Sequence, residues 1–379
     1  MKRTVFSLLA AFALCVSAAA AGPAVSCPSA LLMEKQTGTV LFAQDEHTPR
    51  EPASVTKIMT LLLVMEAIDS GVLSYDDVVT GSAHAAGMGG SQIWLKENEQ
   101  MTVRDLLKAV CIVSGNDAAV VLAEHLAGSE DAFVERMNAR AQELGMNDTH
   151  FVNCTGLPAE RHLTSAYDIA LMSRELILRH PDIRQFTTVW MDSLRGGESM
   201  LVNTNKLIRF YDGATGLKTG STGSAGYCLS ATAEKNGMEL IAVVLKGKTS
   251  DERFSDAKSL LNYGFSTWSL VTVTSDEVLP PVPVMLGVRG TVQPVLTSEN
   301  TLLVEKTLAN SLTKEIALAE SVAAPVYAGD TLGQLTVRDA AGNTVAELPI
   351  LAGEDVGHVT FVQMLGRCLA RGFCMGSQS

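Results

Sequence analysis

Hydrophobic positions change their period several times along this chain, and each change predicts an element. Ser29–Glu34 and Gly38–Ala43 alternate around Lys35-Gln-Thr-Gly38, the pattern of two strands joined by a turn. Pro52-Ala-Ser54 then opens a run from Val55 to Ile68 that is apolar nearly all round and stops at Asp69-Ser-Gly71. A helix with no polar face belongs in the centre of a domain. Thr102 to Leu126 reads as two helical stretches broken at Ser114-Gly115-Asn116, and 130–144 and 165–178 have the period of amphipathic helices. Leu217–Thr219, Tyr227–Ala233 and Met238–Leu245 are strands, the last two joined through the hairpin signal Asn236-Gly237. A helix from Asp251 to Tyr263 closes this region.

Near Trp268 the pattern shifts. From Val271 to Ile350 there are short Val/Leu-rich runs, turn signals (Pro280-Pro281, Gly329-Asp330, Ala341-Gly-Asn343) and no long helical period, which predicts an all-β module. Helical period returns at Thr360. Phe361, Met364, Leu365, Cys368 and Leu369 share one face, with Gln363, Arg367 and Arg371 on the other. The helix from about Val359 to Phe373 is too short and too polar to span a bilayer, and its one-sided face suits a membrane interface. Packing on the β-module or self-association is the alternative use. At the other end, Lys2 and Arg3, the apolar stretch Val5–Val16 and Ala19-Ala20-Ala21 predict a cleaved secretory signal peptide. The expected organisation is therefore a signal peptide at 1–21, a main domain at 22–268, an all-β domain at 269–355 and an amphipathic membrane-associating helix and tail at 356–379.

Charge narrows the function. The chain carries −12, and loss of the leader with Lys2 and Arg3 makes it −14, which gives no electrostatic case for nucleic acid. Outside the leader, Cys27, Cys111, Cys154, Cys228, Cys368 and Cys374 form no Cys-x-x-Cys and no ligand spacing. They do not look like a disulfide framework, and Cys111 and Cys228 sit in apolar runs as small hydrophobes. With no His-Glu-x-x-His and no Gly-rich phosphate loop, no metal and no cofactor is expected.

Three short motifs carry the chemistry. Ser54-Val-Thr-Lys57, Ser114-Gly-Asn116 and Lys218-Thr219-Gly220 occur in that order, and Lys-Thr-Gly occurs once. Ser-x-x-Lys recurs at Ser255/Lys258 and Ser311/Lys314, but only Ser54 opens a long buried helix. Ser54 is the candidate nucleophile, and Lys57 at i+3 shares its face. A Lys serves as base when burial and a neighbouring cation depress its pKa, and Lys218 is the candidate cation. Ser114 offers a hydroxyl for proton relay. Asn116 offers an amide for a substrate carbonyl or for the Lys57 ammonium. Lys218 can bind a substrate carboxylate or tune Ser114, Thr219 adds a hydroxyl donor, and Gly220 lets the substrate backbone come close.

This ordered set is used by penicillin-binding proteins and serine β-lactamases. The chain resembles a low-molecular-mass penicillin-binding protein, a serine-type D-alanyl-D-alanine carboxypeptidase of the sporulating Gram-positive kind. The resemblance runs from about Ser29 to Phe265 and includes Pro52–Thr60, Gly87-Met-Gly-Gly-Ser-Gln92, Phe151–Pro158, Ala166–Ala170 and Gly213–Gly220. It implies an α/β (α+β) β-lactamase/transpeptidase-like catalytic domain: an antiparallel sheet with helices on both faces and a helical subdomain. It further implies that a Ser54 acyl-enzyme releases the terminal D-Ala from peptidoglycan stem pentapeptides and is blocked by β-lactam antibiotics. Backbone N–H groups of Ser54 and Ser221 would form the oxyanion hole, Arg253 would help hold the terminal carboxylate, and Gly87–Gln92 would lie beside the cleft. Where some relatives carry His after Lys-Thr-Gly, this chain has Ser221. The terminal helix would hold the exported enzyme on the outer face of the cytoplasmic membrane. A D,D-endopeptidase shares every motif. A non-catalytic β-lactam or peptidoglycan binder is disfavoured by the intact set. A class A β-lactamase needs a deacylating Glu, and the nearest candidate run, Glu160-Arg-His-Leu163, is followed by Thr164 rather than Asn.

Overall fold

The computed structural model describes residues 22–274, 278–296 and 300–366, so the expected leader and the end of the terminal helix, with Arg367, Cys368, Arg371 and Cys374, lie outside the described residues. Five strands make the central sheet: β1 (Ser29–Glu34), β2 (Val40–Gln44), β3 (Ala214–Thr222), β4 (Gly226–Lys235) and β5 (Met238–Gly247). Their order is β2-β1-β5-β4-β3, and every neighbouring pair is antiparallel. β4 turns into β5 through Asn236 and Gly237, both at positive φ as a tight hairpin turn of this hand requires.

Side-chain alternation divides the sheet between two cores. Leu31, Met33, Ile241, Val243 and Leu245 face one side and pack with α1 (Lys57–Asp69), α2 (Asn116–Ala127), α3 (Glu130–Glu143) and α4 (Ala166–Arg179). Ala30, Leu32, Leu240, Ala242 and Val244 face the other, against Phe254, Ala257, Leu260 and Leu261 of α5 (Ser250–Thr267). α1 is buried on nearly every side, as its unbroken apolar run requires, and packs against α2 and α4. Helices on both faces and the helical subdomain are as expected from the sequence.

The break before α2 is built in three steps. Thr102 caps a helix at Val103–Lys108 by accepting from Asp105 N, the backbone widens into a π-helical turn at Ala109–Val113, and Ser114 stops it at φ 64°. Beyond α5 the chain is β-rich. Pro294–Leu296, Thr344–Ala352, Thr331–Arg338 and Thr313–Leu318 form one sheet in that order, with a short helix at Lys306–Ala309. The β fold extends further than the alternation suggested. Val356 and Val359 are buried, and 356 and 358 bridge to 326 and 287, so the helix begins only at 361, next to the Thr360 at which helical period returns. The helical residues 361–366 leave Phe361, Val362 and Leu365 exposed. No helix of the described residues is long and apolar enough to cross a membrane.

Candidate active site

Ser54 lies in a 3-10 turn, Ala53–Thr56, that runs straight into α1, so Lys57 is the first residue of the helix and stands one turn below the hydroxyl. Lys57 Nζ lies 3.0 Å from Ser54 Oγ. It also donates to Asn116 Oδ1 at 2.5 Å and to the Thr155 carbonyl at 2.7 Å. The second and third partners only accept. When Lys57 is neutral it has two N–H donors and one lone pair, and with both donors given to these acceptors the lone pair is left for Ser54. Burial, and then the nearby Lys218 ammonium, hold the Lys57 pKa well below its usual value. Lys218 itself is buried on edge strand β3, donates to the Thr219 carbonyl at 2.9 Å and is pushed down to about 7, chiefly by burial.

Asn116 is pinned from behind. Its Nδ2 donates to Gly89 O at 2.6 Å and its backbone N–H to Ser91 O at 2.7 Å, so the Gly87–Gln92 loop does border the site. Ser114 Oγ is buried with no hydrogen-bond partner among the described residues. Of the two rival Ser-x-x-Lys pairs, Ser255 is exposed, while Ser311 donates to Leu308 O and Lys314 to Thr274 O. Neither pair is a buried Ser–Lys couple.

Gly220 is required to be small by a contact within the chain itself: a Cβ there would stand 2.8 Å from Ser54 N and 2.9 Å from both Pro52 O and Val55 N. The close approach is between β3 and the turn that carries the nucleophile. Arg253 is 7% exposed, and its Nη1 donates to Gly220 O at 3.0 Å and Cys228 O at 3.3 Å, so it braces the strand, while its buried Nε has no hydrogen-bond partner among the described residues. Ser221, next along the strand, is exposed.

Several site residues carried no sequence signal. The Thr155 carbonyl is a backbone group, although it falls inside the Phe151–Pro158 wording. Thr204 shares a 2.7 Å hydroxyl contact with Thr219, and Asn205 Nδ2 holds Gly216 O at 2.9 Å. Glu160 is exposed and, among the described residues, makes no hydrogen bond to a site residue. Cys27, Glu252 and Asp256 gather their ligand atoms within 4.8 Å. Asp256 there accepts the N–H groups of Ser26 and Cys27, and burial and its hydrogen bond with Asp256 push the Cys27 thiol up and keep it protonated. Cys27, Cys111, Cys154 and Cys228 are free and buried.

A serine hydroxyl on a buried, cation-tuned lysine, flanked by a second serine and a Lys-Thr-Gly edge strand, defines an active-serine hydrolase of the penicillin-recognising fold. A family model described as D-alanyl-D-alanine carboxypeptidase matches residues 16–249, and one described as penicillin-binding protein 5, C-terminal domain, matches residues 269–358. The D-alanyl-D-alanine carboxypeptidase DacF of Bacillus subtilis is 42% identical over 346 residues, covering 90% of this chain and 88% of that protein. Penicillin binding protein 5 from Haemophilus influenzae superposes with a TM-score of 0.79 at 29% identity, over 89% of this chain and 99% of that one. Penicillin-binding protein D2 from Listeria monocytogenes, in its ampicillin-bound form, matches 64% of this chain and 98% of its own, with a TM-score of 0.59 and 33% identity. The chain belongs to the D-alanyl-D-alanine carboxypeptidase family, the serine-type peptidases among the low-molecular-mass penicillin-binding proteins.

Proposed function

We propose that Ser54 attacks the penultimate D-Ala carbonyl of a peptidoglycan stem pentapeptide and releases the terminal D-Ala. The observation that carries this reading is the buried Lys57 Nζ, 3.0 Å from Ser54 Oγ and in contact with two further groups, Asn116 Oδ1 and Thr155 O, that can only accept. Neutral Lys57 takes the hydroxyl proton as the Oγ–C bond forms. Ser114, whose buried hydroxyl has no hydrogen-bond partner among the described residues, relays that proton to the departing nitrogen as the C–N bond breaks. Lys57, neutral again, then activates the water that hydrolyses the ester.

The tetrahedral oxyanion is held by the N–H groups of Ser54 and Ser221. Arg253 supports this by fixing the Gly220 carbonyl: in a trans peptide the N–H of Ser221 points the opposite way, out from the strand. Arg253 is thus a positioning residue. Lys218 and Thr219 face the terminal carboxylate, and Asn116 divides its amide between Lys57 and the loop that borders the cleft. β-Lactams enter as acylating inhibitors of the same serine. The enzyme works outside the cytoplasm on the membrane's outer face, with residues 22–268 catalytic and the β-module a spacer. The exposed Phe361, Val362 and Leu365 support attachment through the terminal segment.

The test is a product assay on a stem pentapeptide and on a crosslinked stem dimer. Release of D-Ala from the pentapeptide, absent in Ser54→Ala, is expected. Cleavage of the dimer alone would make the protein an endopeptidase.

A further inference from the structure

We infer that Trp94 is the platform of a second binding site, beside the cleft, that holds the amino-sugar strand from which the stem peptide hangs; this rests on the peptidoglycan substrate proposed above. Trp94 is 76% exposed, on a backbone held at φ 57°, a conformation a bulky residue seldom adopts without being forced. The force is visible. Ile93 and Leu95 on either side are buried, and their N–H groups donate to the Asp117 carboxylate at 3.0 and 3.1 Å. Asp117 is 1% exposed and follows Asn116 at the start of α2. A buried carboxylate next to a site residue therefore clamps the loop so that the indole points into water. Packing does not explain the ring, which has no aromatic or cation–π partner among the described residues.

The indole borders a groove of about 560 Å³, a size typical of ligand sites. Arg195 also lines it, fixed by Glu99, Ser199 Oγ and Ile93 O. Lys96 and Arg195 balance Glu97 and Glu99, so the lining has no net charge, and Asn98 and Ser199 add neutral hydrogen-bonding groups. A flat aromatic face with a neutral polar rim suits a ligand with an apolar ring face edged by hydroxyls and amides. An N-acetylated pyranose has that form; an anionic headgroup or a basic peptide does not. Reach agrees. Ser91 touches Asn116, and Trp94 is three residues on, within about 11 Å of chain. Four stem residues between the acylated carbonyl and the sugar span at most about 14 Å.

The experiment uses the full mature chain and Trp94→Ala, with Trp94→Phe as a second variant; the side chain is exposed, so folding is checked by melting temperature. Binding is measured by tryptophan fluorescence and NMR titration with a β-1,4-linked N-acetylglucosamine tetramer and with peptide-free glycan strands, after Ser54 has been blocked by penicillin. Turnover is measured on free pentapeptide and on pentapeptide attached to a glycan strand. Wild type should bind both glycans. Trp94→Ala should weaken that binding, and raise KM for the strand-linked substrate, by about fivefold to tenfold, the size of one aromatic contact. Trp94→Phe should recover much of the loss, and free pentapeptide should be hydrolysed equally by all three proteins. Glycan binding that is absent, or equal in wild type and Trp94→Ala, overturns the inference. So does an equal loss on both substrates, or a change confined to self-association, which would make Trp94 a protein contact. Failure of wild type to release D-Ala from free pentapeptide would instead overturn the proposed activity, because the glycan titration does not depend on turnover.

Discussion

Gly220→Ala probes the contact on which the site geometry depends. The added methyl would stand 2.8 Å from Ser54 N and 2.9 Å from Pro52 O and Val55 N, all backbone atoms that no rotamer change can move aside. Ordinary contact begins at 3.4 Å, so β3 and the nucleophile turn must separate by about 0.6 Å. Overpacking of this kind costs about 1–3 kcal/mol, which lowers the melting temperature by several degrees. The rate should suffer more, because a 1 Å misplacement of reacting groups costs about 100-fold, and 0.6 Å therefore on the order of 10- to 50-fold. Stopped-flow acylation by a fluorescent penicillin, with D-Ala release in parallel, reads this as a fall in kcat at nearly constant KM. Gly223→Ala is the control, since a Cβ there meets nothing within 4 Å. A Gly220→Ala enzyme that acylates within twofold of wild type would refute the contact. One that keeps kcat and raises KM would return Gly220 to the role of admitting substrate backbone.

Other outcomes follow from the same geometry. Activity needs neutral Lys57, so kcat/KM rises with pH through its depressed pKa; Lys218→Gln removes a lowering cation and should shift that acidic limb to higher pH, and a limb that stays put would separate the two lysines. Lys218 also ties stability to pH. Between about 7 and its ordinary 10.5 only the unfolded chain holds the proton, so the fold gains stability as pH rises, and melting curves of Lys218→Gln should lose part of that slope. Arg253→Met should lower kcat about tenfold with Arg253→Lys partly restoring it, whereas a loss confined to KM for carboxylate-bearing substrates would mean that Arg253 touches the substrate. Truncation after Thr360, which keeps Val356 and Val359 in the β-module, should release an active enzyme from membranes; wild-type mature protein that is already soluble and monomeric without detergent would remove the anchor.

Much of this site is legible in the sequence. The apolar run of α1 marks Ser54 as the start of a buried helix, and the order of three motifs selects Ser54, Ser114 and Lys218 over their repeats. The break at Ser114 was visible as a polar interruption, but not the π-helical turn and positive φ that aim its hydroxyl. What stayed hidden depends on chain path. The Gly220 contact joins segments 166 residues apart (220 against 54), and Thr155 contributes a carbonyl that any residue would have. The bracing by Arg253 is hidden because periodicity does not reveal that the first turn of α5 leans over β3 and β4. Val356 and Val359 look like the approach to a helix until their bridges and burial place them in the β-module.

The most direct test of the central claim is peptide mapping of the acyl-enzyme. Mature protein trapped with penicillin, and separately with an acyl-D-Ala-D-Ala ester in a rapid quench, is digested and sequenced by mass spectrometry. The account predicts one adduct from both reagents, on Ser54, with none in Ser54→Ala. An adduct on Ser114, Ser255 or Ser311, or turnover of the ester by Ser54→Ala, would contradict it.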